Sequence, residues 1–306
     1  DLHSFPTRRS SDLHIGPGFR RSVKPELLVP GGRQLYRESP LSGTRSVQIQ
    51  PTTSARPPGQ LVAAPGRTPG DIKASSYTRG TSNSAAVSSR NAAMIYDVLV
   101  DMQDEPNGQL LSSKHLTVLT KTLLVHGARW GIARASLEPA LCDGLDERSI
   151  RSYMSRYLGY GLPDFSRVVS STDQRATILG CGDLRDGEAH LFRIPLPHSL
   201  SGNRVWRRLT ISLAWLSPIN PRERKYRKAQ LWLRPSKKEL GVEAKDGWWQ
   251  DIERGTAQHI VLEGESATVF ADDDHVSLLV NCRADAGKLV ENVYMEIGRA
   301  SCRERV

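Results

Sequence analysis

The sequence predicts an α/β region followed by an antiparallel β-sandwich. Three observations carry this. Apolar runs punctuated by turns give way to helical spacing up to about Gly161, the period switches to two from about Phe165 onward, and there is apolar material for a core in each part. The chain has 306 residues, 38% hydrophobic and 25% charged. That suits about two domains of roughly 100 to 200 residues and excludes collagen-like and wholly disordered classes. No stretch approaches the ~18 uninterrupted apolar residues of a membrane span, and no apolar signal segment follows a charged start.

From His14 to about Arg79 the chain is rich in Pro, Gly, Ser and Thr. Glu26 to Val29 and Gln60 to Ala64 are short apolar runs closed by Pro-Gly, which read as buried strands ending in turns. Leu41 to Pro58 between them reads as a loop or insertion. From Thr81 the pattern is helical. Ala85, Ala86, Ala92, Ala93 and Tyr96 through Leu99 supply one apolar helix over Ser82 to Asp101. Ser113 caps a second, in which Leu116, Leu119, Leu123 and Leu124 follow 3,4 spacing until Gly127. Asp146 to Leu158, stopped by Gly159, makes a third. Alternation then marks strands at Phe192/Ile194, Leu209/Ile211/Leu213/Trp215, Ala229/Leu231/Leu233 and Val276/Leu278/Val280, as an antiparallel sandwich requires.

The ends differ from the interior. Residues 1–13 and 298–306 are polar, rich in Arg and Ser and without periodicity, and they resemble translated assembly scars; 14–297 is then the interpretable protein. Cys142, Cys181, Cys282 and Cys302 are widely spaced, so neither a zinc site nor a disulfide framework is expected, and reduced thiols in a bacterial cytoplasm fit. The first residue is Asp1 rather than Met, which leaves a signal peptide open. The net charge is +9, but its only dense run is Arg222, Arg224, Lys225, Arg227 and Lys228. Without a recognition motif or stacking platform, that run reads as a solvated loop rather than a nucleic-acid surface.

The chemistry concentrates at Gly80-Thr81-Ser82-Asn83-Ser84-Ala85, where a hydroxyl follows a Gly-bearing turn and opens an Ala-rich helix. A helix amino terminus offers free backbone N–H groups and a positive dipole end, which favour an oxyanion beside an exposed serine. From local pattern alone, Thr81 or Ser82 as a simple N-cap is the plainer reading. The segment resembles the serine motif of the subtilisin-like (S8) peptidases, and Lys24-Pro25-Glu26-Leu27-Leu28-Val29-Pro30-Gly31 resembles the strand that runs toward their nucleophile. Leu209 to Pro218 resembles the carboxy-terminal sandwich of a large bacterial subset of them.

This resemblance implies that 14–161 is the carboxy-terminal part of a subtilisin-like doubly wound parallel-sheet domain and 162–297 a β-sandwich. It implies a serine endopeptidase acting on polypeptide substrates by acyl transfer. Ser82 is the nucleophile, the Ser82 backbone N–H half of the oxyanion hole, and Gly80 and Thr81 the supporting motif, with no cofactor and no metal. The family's Asp, His and oxyanion Asn should all precede the Lys24 strand. Upstream of Ser82 stand only His3, His14, Asp1, Asp12 and Asp71, and Asp71 falls in the wrong order. The expectation is therefore a fragment lacking the family's amino-terminal half, with negligible activity alone. The alternative is a non-catalytic module that binds a protein partner through the sandwich, with Trp248 and Trp249 as a candidate patch.

Other residues rank lower. His126, at the end of the second helix, reads as a structural group interacting with the helix dipole. His115, His190, His198, His259 and His275 all follow Ser82, contrary to the family's order. Asp272, Asp273 and Asp274 read as a solvated turn rather than a calcium site.

Overall fold

The computed structural model describes residues 18–33, 35–40, 43, 46–52, 56–105, 111–172, 175–195, 206–233, 254–264 and 275–302. The chain divides into two compact units, Asp1–His14 with Val29–Asn91, and Ile15–Leu28 with Ala92–Val306. In the first, β1 (Leu35–Pro40) pairs antiparallel with β2 (Val47–Thr52), and β3 (Gln60–Ala63) with β4 (Ser75–Thr78). Helix α1 (Thr81–Gln103) begins here and continues into the second unit.

The second unit is layered. It contains α2 (Ser113–His126), β5 (Ala128–Arg129), α3 (Gly131–Leu141), α4 (Glu147–Leu158), β6 (Leu162–Pro163) and α5 (Ser166–Val169). The strands β7 (Arg175–Leu184), β8 (Ala189–Pro195), β9 (Arg207–Trp215), β10 (Ala229–Leu233), β11 (Ala257–Gly264), β12 (His275–Ala284) and β13 (Val293–Cys302) follow. They form a four-stranded sheet in the order β11-β9-β13-β7 and a three-stranded sheet in the order β10-β12-β8. Alternate residues of both sheets, among them Ile211, Leu213, Trp215, Leu231, Leu278, Val280 and Met295, share one apolar core. Register sends the other residues of β9 and β11 to the opposite face, where Ala214 and Ala257 pack with Val118 and Val125 of α2. β9 is thus buried on both faces, which explains why its alternation of Thr and Ser with large apolar residues is still an interior pattern.

The expected doubly wound parallel sheet is not what forms. Every strand pair among the described residues is antiparallel. A parallel pair needs a crossover of a dozen or more residues, usually a helix. Only a short turn-bearing stretch joins β3 to β4, so they close as a hairpin. The run at Glu26 to Leu28 joins no ladder and makes isolated main-chain bonds instead, Leu28 N to Gly161 O at 3.0 Å and Tyr160 N to Glu26 O at 2.9 Å. Helix α2, which a parallel sheet would use as a crossover, lies on an antiparallel sheet. The stretch expected as a loop, Leu41 to Pro58, contains β2, and α3 was not anticipated because Gly131 opens it and Pro139 lies inside it. β13 runs on through Cys302, beyond the change in composition at Gly298.

Candidate functional site

The serine turn is held by close backbone approach. β4 ends at Thr78, and Gly80 takes a φ of 147°, a left-handed value that disfavours any side chain, before α1 starts at Thr81. Gly80 N donates to Gly31 O at 2.9 Å, and Asn83 N donates to Gly80 O at 3.0 Å. A Cβ on Gly31 would come within 2.5 Å of Gly80 O and 2.7 Å of Ser84 Oγ, so only glycine permits this crossing. Two side chains complete the seam: Ser84 Oγ donates to Val29 O at 2.7 Å, and Asn83 Nδ2 donates to Gly31 O at 3.2 Å and Thr78 Oγ1 at 3.1 Å. Val29 to Gly31 therefore lies against the first turn of α1.

Ser82 is exposed at the second position of that helix, beside exposed Thr81. The segment 29–91 contains no histidine, and its only Asp is Asp71, whose Oδ1 accepts from Lys73 N at 3.0 Å. His3, His14, His198, Asp272 to Asp274, Trp248 and Trp249 lie outside the described residues.

The second unit holds a buried polar relay. His126 Nδ1 lies 3.0 Å from Ser212 Oγ on β9, Ser212 Oγ 2.8 Å from His259 Nδ1 on β11, and His259 Nε2 2.9 Å from Ala128 O. A carbonyl oxygen can only accept, so His259 Nε2 carries the proton and its Nδ1 is an acceptor. Burial holds this ring neutral, with its pKa lowered to about 4 against a partial opposing effect of the Ala128 bond. Ser212 must then donate to His259 and accept from His126 Nδ1–H. Burial first, then the charges of His259 and Arg167, lower the His126 pKa to about 3. His126 is thus not the cation that a helix-dipole role requires. Its Nε2 is left as a buried lone pair with no hydrogen-bond donor.

This relay borders a cleft of about 540 Å³ lined by residues of the α2–β5–α3 chain, of Leu162 to Arg167, and of β9 and β11. The sequence reading gave Ser212 and the cleft no role. The available signal was the pair of polar residues, Thr210 and Ser212, set between the large apolar side chains of Leu209, Ile211, Leu213 and Trp215. Of the remaining histidines, His115 Nε2 meets Asp183 at 3.4 Å and His190 stacks on Phe192.

The basic run is tied into the fold. Lys225 pairs with Asp285 at 3.0 Å, Lys228 with Glu291 at 2.8 Å, and Arg227 donates to Arg254 O at 2.7 Å. Among the described residues no group of three or more His, Cys, Asp or Glu side chains is placed to hold a metal, and no helix is long and apolar enough to cross a membrane. No model of a known protein family matches this chain, and no curated protein gives a significant match.

Proposed function

We propose that this chain carries the nucleophile of a subtilisin-like serine endopeptidase, with Ser82 as the attacking group and polypeptides as substrates. The observation that supports the reading is local: an exposed serine in the first turn of α1, after a left-handed glycine, with the Val29–Gly31 segment bonded against that turn. The reading rests on that turn and not on a parallel sheet, since function belongs to sites and not to folds. In it, Ser82 Oγ attacks a peptide carbonyl and passes its proton to a histidine, while the Ser82 N–H donates a hydrogen bond to the developing oxyanion. The bacterial cytoplasm is the compartment, in keeping with Cys142 and Cys282 being buried free thiols.

Residues 29–91 supply neither the histidine nor the second oxyanion donor. Loss of that donor alone lowers the rate by about 10² to 10³, a figure that comes from subtilisin itself, and loss of the base costs more. The 306-residue chain is therefore expected to hydrolyse peptides at a negligible rate. A fluorophosphonate probe should label Ser82 rapidly in the parent polypeptide that supplies the partners and not in the isolated chain, and Ser82→Ala should abolish the labelling. Rapid labelling of the isolated chain would refute the need for partners, and an unreactive Ser82 in the parent would refute the nucleophile.

A further inference from the structure

Strand β8 leaves the three-stranded sheet with an open edge. In the order β10-β12-β8 it is paired on one side, with β12. Cys282 N donates to Glu188 O at 3.0 Å where that ladder begins, and hydrogen-bonded pairs alternate along an antiparallel ladder. His190, Phe192 and Ile194 therefore direct their main-chain groups to β12, while Ala189, Leu191 and Arg193 direct theirs outward. These three residues are exposed, and among the described residues their outward groups take no main-chain bond. Such a row of N–H and C=O groups is a template for a further strand.

Both faces beside this edge are apolar. On the outer face Leu191, 47% exposed, stands opposite Leu279, 43% exposed. On the inner face His190 and Phe192 stack with ring centroids 4.5 Å apart, and the missing side chain of Gly180 on β7 makes room for the Phe192 ring. Pro195, which has no N–H, closes the edge at one end and the Arg185–Glu188 turn closes it at the other.

Charge is polarised along the strand. Asp186 and Glu188 stand at its start, where their carboxylates accept from the main-chain N–H groups of Ala284 at 2.6 Å and Arg185 at 2.7 Å. The Arg185 side chain is bonded to Asn292 Oδ1 at 3.0 Å. Arg193, near the end of the strand, makes no ion pair among the described residues.

We propose that β8 pairs antiparallel with β8 of a second copy of this chain, about a two-fold axis at Leu191, joining the two three-stranded sheets into one. A closed dimer needs a self-complementary patch, and this register supplies it. Leu191 faces its own copy, with Leu279 behind each. Phe192 faces His190 of the second copy, an aromatic cross-strand pair made twice. Arg193 faces Ala189 of the second copy, so the two arginines stay apart and each lies beside the acidic start of the other strand. A parallel, in-register pair would instead set Arg193 against Arg193, and like charges directly opposite are destabilising. One strand pair with its flanking side chains lies at the small end of specific interfaces, so dilution dissociates the dimer.

Sedimentation velocity of the full chain over a concentration series should show a monomer–dimer equilibrium. Leu191→Lys, at an exposed side chain and checked for native circular dichroism, sets like charges opposite each other and should raise the dissociation constant by about tenfold or more. Mild oxidation reads the register separately. Facing hydrogen-bonded residues lie about 5.5 Å apart between Cα atoms, inside the range that a disulfide spans. Leu191→Cys should therefore cross-link two copies through the introduced thiols, as located by peptide mapping, whereas Leu279→Cys, one strand further in and similarly exposed, should not. A monomer at every concentration, an unchanged dimer in Leu191→Lys, growth beyond a dimer, or equal cross-linking from the two cysteine variants would each overturn the proposal.

Discussion

Two histidine rings dominate the chemistry of the second unit at the scale of single residues. Both are buried and neutral when folded, with pKa values of about 3 for His126 and about 4 for His259, against an ordinary 6.5. Between 6.5 and those values the unfolded chain takes up protons that the folded chain refuses. Their contribution to stability is therefore fully present above 6.5 and is lost as pH falls toward the folded values, at about 1.4 kcal/mol per pH unit for each ring while both are in that window. Unfolding followed by chemical denaturant across this range should show the decline, and His259→Gln should have a shallower one. Equal slopes in the two proteins would mean that the ring is not buried neutral. Sequence placed His126 correctly at the helix end and assigned it a structural role. It had no means of showing that a serine 86 residues away in the chain would fix the tautomer and leave the other ring nitrogen buried without a hydrogen bond.

Helix α2 governs the second unit among the elements. Its buried residues include His115, Leu116, Val118, Leu119, Thr122, Leu123, Val125 and His126, so more than one stripe is covered. Val118 and Val125 face the sheet, whereas Leu116, Leu119 and Leu123 pack with Ile95 and Leu99 of α1. Leu119 is fully buried, and Leu119→Ala should cost about 2 to 5 kcal/mol, the range for a leucine cavity. Met94→Ala on α1, at a partly exposed side chain, should cost far less, and paired denaturation curves measure the difference. Similar losses would show that α2 is not the central layer. The α2 spacing, the helix from Asp146 to Gly159 and the alternating strands were all legible, because each is written in residues a few positions apart; the caps were less so, since Asp146, whose carboxylate accepts from Ser149 N at 2.7 Å, caps α4 from just outside it and Ser112 rather than Ser113 precedes α2. The β1–β2 hairpin and α3 were not. Polar strands with little burial carry no apolar period, and a helix with Gly at its start and Pro near its end imitates a loop.

The distribution of core decides which part of the whole molecule yields first. All the buried hydrophobic residues described belong to the second unit, and none falls within 29–91. The first unit is held by short ladders and by polar contacts such as Ser84 Oγ to Val29 O and Arg79 Nη1 to Thr52 O at 3.0 Å. Individual hydrogen bonds contribute about 1 kcal/mol each and do not replace apolar burial as the driving force for folding. Strand pairing across long sequence separation was the least legible level, since the same Pro-Gly punctuation precedes a parallel crossover or a hairpin. The consequence is testable by native-state hydrogen exchange. Amides of β3 and β4 should exchange by local opening well before those of β9, which is covered on both faces, and brief trypsin treatment should cut at Arg56, Arg67 or Lys73 before any site in β9 or β12. Protection in β3 and β4 equal to that in β9 would show that the first unit is stabilised by something other than its own contacts. If the order holds, the Ser82 turn sits on the least stable part of the chain, and probe reactivity there reports how well that turn is ordered as well as which partners reach it.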